Sequence, residues 1–324
     1  MPKAVVCREL GPPERLRLER FASVPLTPGQ VRVAVRAAGI NFPDILMAAG
    51  EYQLKPPLPF TPGVESAGDV IEVDGVGGVA VGDKVILKFR YGAYTDESVV
   101  ASSQLTPLPS TFDYAEGATF LAAHGTAHHA LIDRGQIQPG EVLLVHGAGG
   151  GVGLAAVEIG KLLGATVIAA ASSEEKLAVA QAKGADHVVL YGREPFRDAV
   201  KRITDGRGAN VVFDPVGGEV FENSVRCIAW GARILVVGFT GGIGLARTNL
   251  LLIKGASVLG VRAGEAARRN PALSEARLKA LSQWAEAGKV RPNISHRLPL
   301  EQWATGMRLL VDRKAIGRVA LMMG

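Results

Sequence analysis

The chain has 324 residues, of which 48% are hydrophobic and 21% charged, and its formal net charge is +5. At roughly 150 residues per domain this length predicts about two domains, and the composition excludes a disordered chain. Two cysteines, Cys7 and Cys227, are too few for a disulfide framework or a four-thiolate zinc site. We therefore expect a cytoplasmic protein with a packed core.

Targeting and membrane segments are not indicated. Residues 1–9 alternate charged with apolar residues too soon for a signal peptide. The longest uncharged apolar stretch, 142–157, contains five glycines and His146, whereas a membrane helix needs about 20 predominantly apolar residues. Lysines and arginines are scattered and lack interleaved aromatic residues, so the positive charge does not indicate nucleic-acid binding. We expect no membrane span and no nucleic-acid partner.

The first third of the chain predicts short strands separated by turns. Val31, Val33 and Val35 occupy every second position, which is the period of a half-buried strand. Further strands are predicted at Lys3 to Arg8, Gly68 to Val73, Lys84 to Leu87 and Tyr94 to Val100. Four prolines within residues 55–63 fix backbone angles and predict a stiff loop.

From about residue 122 the pattern changes to strands that alternate with helical segments. This order predicts an α/β fold with a doubly wound parallel sheet of the Rossmann type. The candidate strands are Val142 to His146, Thr166 to Ala171, His187 to Tyr191, Asn210 to Asp214, Arg233 to Gly238 and Ser257 to Val261.

The segment after Arg262 predicts two helices, Leu273 to Ala287 and Gln302 to Leu310, and a last strand, Arg318 to Met322. Because the N-terminal strands lack helical cover, we expect this tail to return and pack on them. The predicted division is therefore a dinucleotide-binding domain at 122–262 and a β-rich domain made of residues 1–121 and 263–324.

A glycine-rich loop, residues 147–153, follows the strand that ends at His146 and precedes an amphipathic helix. In this context the motif predicts a dinucleotide-binding turn. Gly150 would let the backbone approach a pyrophosphate and Gly153 would let the helix pack closely. The amides at the helix start, from Gly151 and Val152 onward, would point at the anion. The alternative is a tight turn without a ligand.

The end of the second strand bears on the choice of cofactor. NAD sites place an acid there to bind the ribose 2′-hydroxyl, whereas this chain has Ser172 and Ser173. A 2′-phosphate would accept hydrogen bonds from Ser172 and charge from Lys176, so NADPH is favoured over NADH. Alternatively Ser172 caps the next helix in a capping box with Glu175. Glu174 is also near enough to supply the acid of an NAD site, so NAD stays an alternative cofactor.

Two further loops follow later strands of the predicted parallel sheet. Loops at the carboxyl ends of such strands line the crevice where a dinucleotide lies. Residues 214–217, with Val216, and the glycine cluster 238–244, with Phe239, are therefore expected to border the nicotinamide half. Either loop could instead be an ordinary turn that contacts no ligand.

Several motifs together resemble the zinc-independent quinone oxidoreductases, similar to zeta-crystallin, of the medium-chain dehydrogenase/reductase superfamily. The motifs span the chain and comprise residues 38–44 (AGINFPD), 50–52 (GEY), 62–68 (PGVESAG), 81–85 (VGDKV) and 146–153 (HGAGGGVG). The resemblance implies a GroES-like β-rich domain formed by both termini, a central Rossmann domain, and a homodimer joined through the last strand of the Rossmann sheet.

The same resemblance implies roles for individual residues. Asn41 and Tyr52 would face the nicotinamide and the substrate as catalytic residues, with Tyr52 donating a hydrogen bond or proton to a developing oxyanion. Tyr52 could alternatively be an aromatic anchor of its loop, and Asp44 is interpreted as a structural carboxylate near the site. Cofactor-lining roles would fall to Thr126, Tyr191, Phe239 and Val261.

No metal is expected. Zinc alcohol dehydrogenases of the superfamily have a cysteine where Asn41 stands and a histidine where Val64 stands. The remaining candidates are His124, His128 and His129, whose helical spacing lacks a neighbouring acid, and they are interpreted as core or pocket-wall residues.

The missing zinc ligands limit the expected substrate. Without a Lewis acid, a quinone or enone accepts a hydride more readily than a simple ketone, because conjugation delocalises the incoming charge. The leading hypothesis is an NADPH-dependent quinone oxidoreductase. Alternatives are an NADPH-dependent enone or alkenal double-bond reductase and a non-catalytic NADPH- or RNA-binding protein of the crystallin kind.

Overall fold

The structure is a computed structural model that describes residues 1–75 and 77–324. Its strands, in chain order, are β1 (Lys3–Val6), β2 (Arg17–Arg20), β3 (Gln30–Ile40), β4 (Glu65–Val73), β5 (Lys84–Lys88), β6 (Glu97–Ala101), β7 (Leu105–Pro107), β8 (Val142–Val145), β9 (Thr166–Ala171), β10 (His187–Leu190), β11 (Ala209–Asp214), β12 (Ile228–Val236), β13 (Ser257–Gly260), β14 (Ile294–Pro299) and β15 (Arg318–Met322).

The helices are α1 (Phe42–Ala49), α2 (Tyr114–Gly117), α3 (Leu121–His128), α4 (Gly151–Leu162), α5 (Glu174–Ala182), α6 (Phe196–Ile203), α7 (Gly218–Ser224), α8 (Thr248–Lys254), α9 (Ala263–Arg269), α10 (Pro271–Glu286) and α11 (Trp303–Val311). A π-helix, His129–Arg134, continues α3, and short 3₁₀ turns lie at Pro13–Arg15, Ser102–Gln104 and Leu300–Gln302. Within the described residues no helix is long and apolar enough to span a membrane.

The chain divides into two compact units. Unit 1 comprises Met1–Ala122 and Arg291–Gly324, and unit 2 comprises Ala123–Val290. The sequence prediction placed residues 263–290 with the β-rich domain, but the structure places them in unit 2. The reason is that α10 turns Arg277 and Leu281 into the interior of unit 2, where Arg277 pairs with Asp133 at 3.1 Å.

Unit 1 is built around a mixed sheet with the order β14-β15-β3-β4-β5-β7, in which β6 also pairs with β3. Strands β14 and β15 are parallel, and the other pairs are antiparallel. Val31, Val33 and Val35 of β3 are buried as their alternation predicted. Arg32, on the other face, is buried as well, because it pairs with Glu72 at 2.7 Å and Glu97 at 2.8 Å.

Unit 2 contains a six-stranded parallel sheet with the order β10-β9-β8-β11-β12-β13. The six predicted strands and the Rossmann-type fold are confirmed, with bounds that differ by at most five residues. The chain order reverses between β8 and β11, and ligands of such sheets bind outside the carboxyl ends of the strands at this point. A ligand-binding site is therefore expected at the loops after β8 and β11.

Helix α1 was not predicted from the sequence, although both of its ends have clear signals. The backbone N–H of Asn41 donates to Asp44 Oδ2 at 2.8 Å, which satisfies the start of the helix. Pro43 stands in the first turn, where a proline costs no helical hydrogen bond. Gly50 ends the helix with φ of 77°, the left-handed conformation of a C-terminal cap.

Candidate functional site

Three loops meet at the carboxyl edge of the parallel sheet in unit 2: residues 146–150, 214–218 and 238–242. A Cβ built on Gly147 would lie 3.3 Å from the Pro215 ring, so the first two loops are in contact. The Gly241 amide donates to the Val216 carbonyl at 2.7 Å, which joins the second loop to the third. Asp214 Oδ1 accepts from the amides of Val216 and Gly217 at 2.8 and 2.9 Å and holds the middle loop.

The glycine turn brings the start of α4 against the end of β8. A Cβ on Gly153 would lie 2.3 Å from the Gly147 carbonyl oxygen and 2.9 Å from Ala148 Cα, so only glycine lets the helix approach this closely. Gly150 is the N-terminal cap, and its amide donates to the Gly147 carbonyl at 2.9 Å. The first amides of a helix have no intrahelical acceptor, so those of Gly151 and Val152 suit an anion.

Lys176 packs across the glycine turn from α5. A Cβ on Gly149 would lie 2.6 Å from Lys176 Cβ, so the missing side chain makes room for the lysine. Lys176 Nζ lies 3.3 Å from Ser172 Oγ at the end of β9. The two residues predicted to bind a 2′-phosphate are therefore brought together beside the predicted pyrophosphate turn.

The capping alternative for Ser172 is wrong. Ser173 caps α5, and its Oγ accepts from the Lys176 amide at 3.4 Å, while Ser172 is exposed. Glu174 pairs with Arg193 at 3.2 Å, and both side chains are exposed.

Tyr191, which the resemblance places at the cofactor, has its hydroxyl beneath the glycine turn. The hydroxyl oxygen lies 2.7 Å from His146 Nδ1 and 3.5 Å from the Gly147 amide nitrogen. His146 Nε2 in turn lies 2.8 Å from Ser224 Oγ. Burial lowers the pKa of His146 to about 3, so this imidazole is neutral at physiological pH.

The other predicted cofactor residues lie at the same edge or on α3. Val216 is half-buried in the middle loop, and Phe239 is exposed in the third. Val261 follows β13 and donates its amide to the Val236 carbonyl at 2.9 Å. Thr126 is half-buried on α3.

These groups fit a dinucleotide. The turn between β8 and α4 offers backbone amides where side chains would clash, and a lysine and a serine flank it. The nearby Asp214 carboxylate is buried, and Oδ2 makes no hydrogen bond among the described residues. Burial raises the pKa of Asp214.

Unit 1 contains a second cluster, centred on Asn41. Asn41 Nδ2 donates to the Gly39 carbonyl at 3.2 Å and to Glu65 Oε1 at 3.1 Å, and Asn41 Oδ1 accepts from Arg318 Nη2 at 2.9 Å. Arg318 also pairs with Glu65, whose Oε2 accepts from the Ala122 amide at 2.8 Å. These contacts use both amide hydrogens of Asn41 and one of the two lone pairs of Oδ1. Among the contacts of the described residues, Asn41 therefore keeps one acceptor position and no donor.

Asp44 is fully buried beside this cluster. Its Oδ2 accepts from the Asn41 amide and from the Tyr94 hydroxyl, the latter at 2.9 Å. Burial raises the pKa of Asp44 to about 7, and the two hydrogen bonds only partly oppose this. The structural interpretation of this carboxylate agrees with its contacts.

Tyr52 and Val64 pack at the margin of the unit 1 core and are half-buried. The three histidines of α3 and the π-helix have separate neighbours. His124 Nε2 lies 3.0 Å from Glu158, and His129 Nδ1 lies 2.8 Å from Asp133. His128 packs against Trp284 with ring centroids 5.6 Å apart. All three are buried, as core residues would be.

The described sites can be compared with known proteins. Residues 27–110 match a family profile described as alcohol dehydrogenase GroES-like domain, and residues 151–278 match one described as zinc-binding dehydrogenase. A Nematostella vectensis protein named quinone oxidoreductase-like protein 2 homolog is 38% identical, over 98% of this chain and 88% of that protein. The chain belongs to the quinone oxidoreductase family of the medium-chain dehydrogenases/reductases.

Solved structures agree with this family. A quinone oxidoreductase from Pseudomonas syringae has a TM-score of 0.90 and 29% identity, and the match covers 99% of this chain and all of that one. An NAD-dependent alcohol dehydrogenase has a TM-score of 0.90 and 32% identity over the same shares. A mycobacterial structure complexed with NADPH has a TM-score of 0.90 and 26% identity, over 99% of each chain.

Family membership makes the chain an oxidoreductase, and its relatives support a nicotinamide cofactor. The profile matching residues 151–278 has zinc in its description, whereas the resemblance implies that Asn41 and Val64 replace the ligands of zinc enzymes in this chain. In the part of the chain that the structure describes, no group of three or more His, Cys, Asp or Glu side chains is placed to hold a metal.

Sequence reasoning missed Glu65, Arg318 and Ser224 as members of these clusters. Each hydrogen-bonds to a residue at least 24 positions away in the chain. No local spacing links them. The one available signal was that Glu65 directly follows Val64, which the sequence analysis had named as a zinc-ligand position of related enzymes.

Proposed function

We propose that this chain is an NADPH-dependent quinone oxidoreductase. The observation that carries the proposal is the placement of Lys176 and Ser172 beside the glycine turn, where an NAD site would have an acid. The cation and the hydroxyl suit a 2′-phosphate, which a carboxylate would repel. The similarity to a solved quinone oxidoreductase and to a quinone oxidoreductase-like protein supports the substrate class.

A reduced nicotinamide, when bound, supplies a hydride to an electron-poor conjugated carbonyl. The protein's part is positioning and hydrogen bonding. Within the proposal, the free lone pair of Asn41 Oδ1 accepts a hydrogen bond from the cofactor or substrate, because both of its hydrogens are already used. A donor for the developing oxyanion must then come from elsewhere, and Tyr52 is the proposed donor.

We also propose a homodimer formed through the edge of the unit 2 sheet. Strand β13 ends the sheet order, and exposed apolar residues lie on β12, which pairs with it, and on α8, which precedes it in the chain. Trp230 is 77% exposed, Leu252 81% and Ile253 65%. We call these three residues the edge patch. An apolar patch beside an edge strand suits pairing with a second copy.

The cofactor is tested by steady-state oxidation of NADPH and NADH with 1,4-benzoquinone. We expect a higher kcat/KM with NADPH, and we expect Lys176→Gln to raise KM for NADPH about tenfold while changing KM for NADH little, since one charge-assisted contact is worth about 1.4 kcal/mol. The matched control is Lys279→Gln, an exposed lysine of α10. Equal efficiency with both dinucleotides would contradict the NADPH proposal.

The reaction is tested by product analysis and by Tyr52→Phe. A hydroquinone product supports quinone reduction, whereas a saturated ketone from an enone tested in parallel, without quinone turnover, would assign double-bond reduction. NADPH binding without turnover of either would assign a binding protein. If Tyr52 is the donor, Tyr52→Phe lowers kcat at least tenfold with unchanged thermal unfolding. An unchanged kcat would leave Tyr52 as an aromatic anchor.

A further inference from the structure

His146, the last residue before the glycine loop, belongs to a buried chain of hydrogen bonds that ends at the loop itself. His146 and Ser224 are fully buried, and the imidazole lies between Ser224 Oγ at 2.8 Å and the Tyr191 hydroxyl at 2.7 Å. The Tyr191 oxygen also receives the Gly147 amide at 3.5 Å.

The direction of each hydrogen bond in this buried series follows from Ser224. A serine hydroxyl has one hydrogen, and Ser224 donates it to the Val220 carbonyl at 2.6 Å. Ser224 must therefore accept from His146, which places the imidazole hydrogen on Nε2. Nδ1 is then an acceptor, so the Tyr191 hydroxyl donates to it. The Tyr191 oxygen is left to accept from the Gly147 amide.

Burial keeps the His146 imidazole singly protonated. The lowered pKa of His146 excludes the doubly protonated imidazole at pH 5–8, so the ring has one donor and one acceptor. The ring is also fixed by packing. It is nearly parallel to the Tyr191 ring, at 20° and 6.1 Å, and meets the edge of Phe196 at 4.8 Å.

Gly147 is the residue of the turn on which the rest depends, through the two peptide groups that flank it. Its carbonyl, in the peptide with Ala148, accepts from the Gly150 amide at 2.9 Å and lies 2.3 Å from the place of a Cβ on Gly153. Its amide, in the peptide with His146, donates to the Tyr191 hydroxyl. A change in the backbone angles of Gly147 would therefore move both the cap of α4 and the first amides of the helix.

We propose that His146 is a positioning residue for dinucleotide binding: protonated on Nε2 and held by Ser224, it orients the Tyr191 hydroxyl beneath Gly147 and so fixes the anion-binding turn before the ligand arrives. The inference rests on the proposed function, because it assigns a cause to the affinity of that same turn. Fixing the turn in advance removes an ordering cost from binding.

The test compares two replacements that each keep half of the imidazole. In His146→Asn, the amide oxygen stands near the place of Nδ1 and can still accept from Tyr191. In His146→Gln, the amide nitrogen stands near the place of Nε2 and can still donate to Ser224, but the acceptor for Tyr191 is lost. The control is His187→Asn, an exposed histidine on the strand that leads to Tyr191.

We expect His146→Gln and Tyr191→Phe to raise the Kd for NADPH, measured by titration calorimetry, about fivefold to tenfold. His146→Asn should stay within threefold of the wild type, and the control should not differ from it. In steady state the loss should appear in KM for NADPH, with kcat and KM for the quinone unchanged. The long-range ¹⁵N–¹H spectrum of the wild type should show His146 protonated on Nε2.

Equal Kd values for the Asn and Gln variants, or protonation of Nδ1, would overturn the inference while wild-type NADPH binding leaves the proposed function intact. A wild type that binds no dinucleotide would overturn the proposed function and this inference with it. Thermal unfolding of each variant separates a local loss of affinity from a loss of fold.

Discussion

At the residue scale, Gly153 shows how a single missing side chain sets the position of a helix. The approach of α4 to the Gly147–Ala148 turn leaves no room for a methyl group, and the atoms that would be met belong to the backbone and cannot rotate away. The glycine fingerprint therefore has a packing role that is separate from any contact with a ligand.

Gly153→Ala should destabilise the chain by about 1–3 kcal/mol, because α4 must shift to admit the methyl group. Chemical denaturation measures the free energy of unfolding. Gly264→Ala is the control, since Gly264 is exposed on α9 and a Cβ built on it would lie 3.9 Å from Arg268 Nη1. That change should be neutral or stabilise by about 0.5–1 kcal/mol. Similar losses in both variants would contradict the packing role.

Asp44 should make the stability of the chain depend on pH. Its folded pKa of about 7 is above the unfolded value near 3.8, so the folded state binds the extra proton between these pH values. Stability from this group is therefore greatest below about pH 4 and falls as pH rises towards 7. The slope is at most about 1.4 kcal/mol per pH unit.

Asp44→Asn should remove this slope, so that the variant gains stability relative to the wild type between pH 5 and pH 7. Chemical denaturation at pH 5, 6 and 7 gives the difference. Asp205→Asn, at an exposed aspartate, should show a constant difference across the same range. If the Asp44→Asn difference is also constant, Asp44 titrates normally and the raised pKa is wrong.

Single residues could be predicted from the sequence where a motif defines their neighbours. Gly153, Ser172 and Lys176 follow from their spacing after β8, because the turn, helix and next strand have nearly fixed geometry. The use of Asn41 could not be predicted in this way. Its two amide hydrogens are used by Gly39 and Glu65, and one lone pair of its oxygen is used by Arg318, 277 positions away. Only the folded sheet brings Glu65 and Arg318 to it.

At the scale of elements, α10 is held to the π-helix by a buried charged group. Arg277 Nη2 lies 3.1 Å from Asp133 Oδ2 and 3.2 Å from His129 Nδ1. The arginine side chain is only 4% exposed. Burial lowers the pKa of His129, and the neighbouring Arg277 adds to this. The lowered pKa favours the neutral imidazole, so the charge of Arg277 is paired with the Asp133 carboxylate. This contact explains why residues 263–290 belong to unit 2.

Arg277→Met should destabilise the chain by about 3 kcal/mol, because it leaves the half-buried Asp133 carboxylate without its cation. Arg269→Met is the matched control: Arg269 is 79% exposed and pairs with Glu265 at 2.8 Å on the surface of α9. The control should change stability by less than about 1 kcal/mol. Thermal and chemical unfolding compare the two variants. Equal losses of stability would show that the Arg277–Asp133 pair contributes no more than a surface pair.

Whole elements differed in how well the sequence predicted them. The strands of unit 2 are continuous apolar segments between turn residues, so their existence was clear and only their ends moved. Helix α1 was missed because it has eight residues, and its strongest signals, Pro43 and Asp44, lay inside a family motif. The placement of α10 depended on Arg277, whose partner in the π-helix has no sequence signal.

At the scale of the whole molecule, the edge patch makes the proposed dimer testable. Leu252→Asp places a charge within the patch and should shift the chain from two copies to one in multi-angle light scattering. Val24→Asp, at a valine of unit 1 that is 59% exposed, should leave the mass unchanged. A wild type that runs as a single copy at all concentrations would contradict the dimer.

The two pieces of unit 1 also set an order of events during synthesis. Strand β15 pairs with β3, and Arg318 is the cation of the buried Glu65 carboxylate, yet all of unit 2 lies between them in the chain. On a ribosome, unit 2 can fold while β3 still waits for its neighbour and Glu65 for its counter-charge. The N-terminal piece should therefore stay open to chaperones and proteases until the last residues emerge.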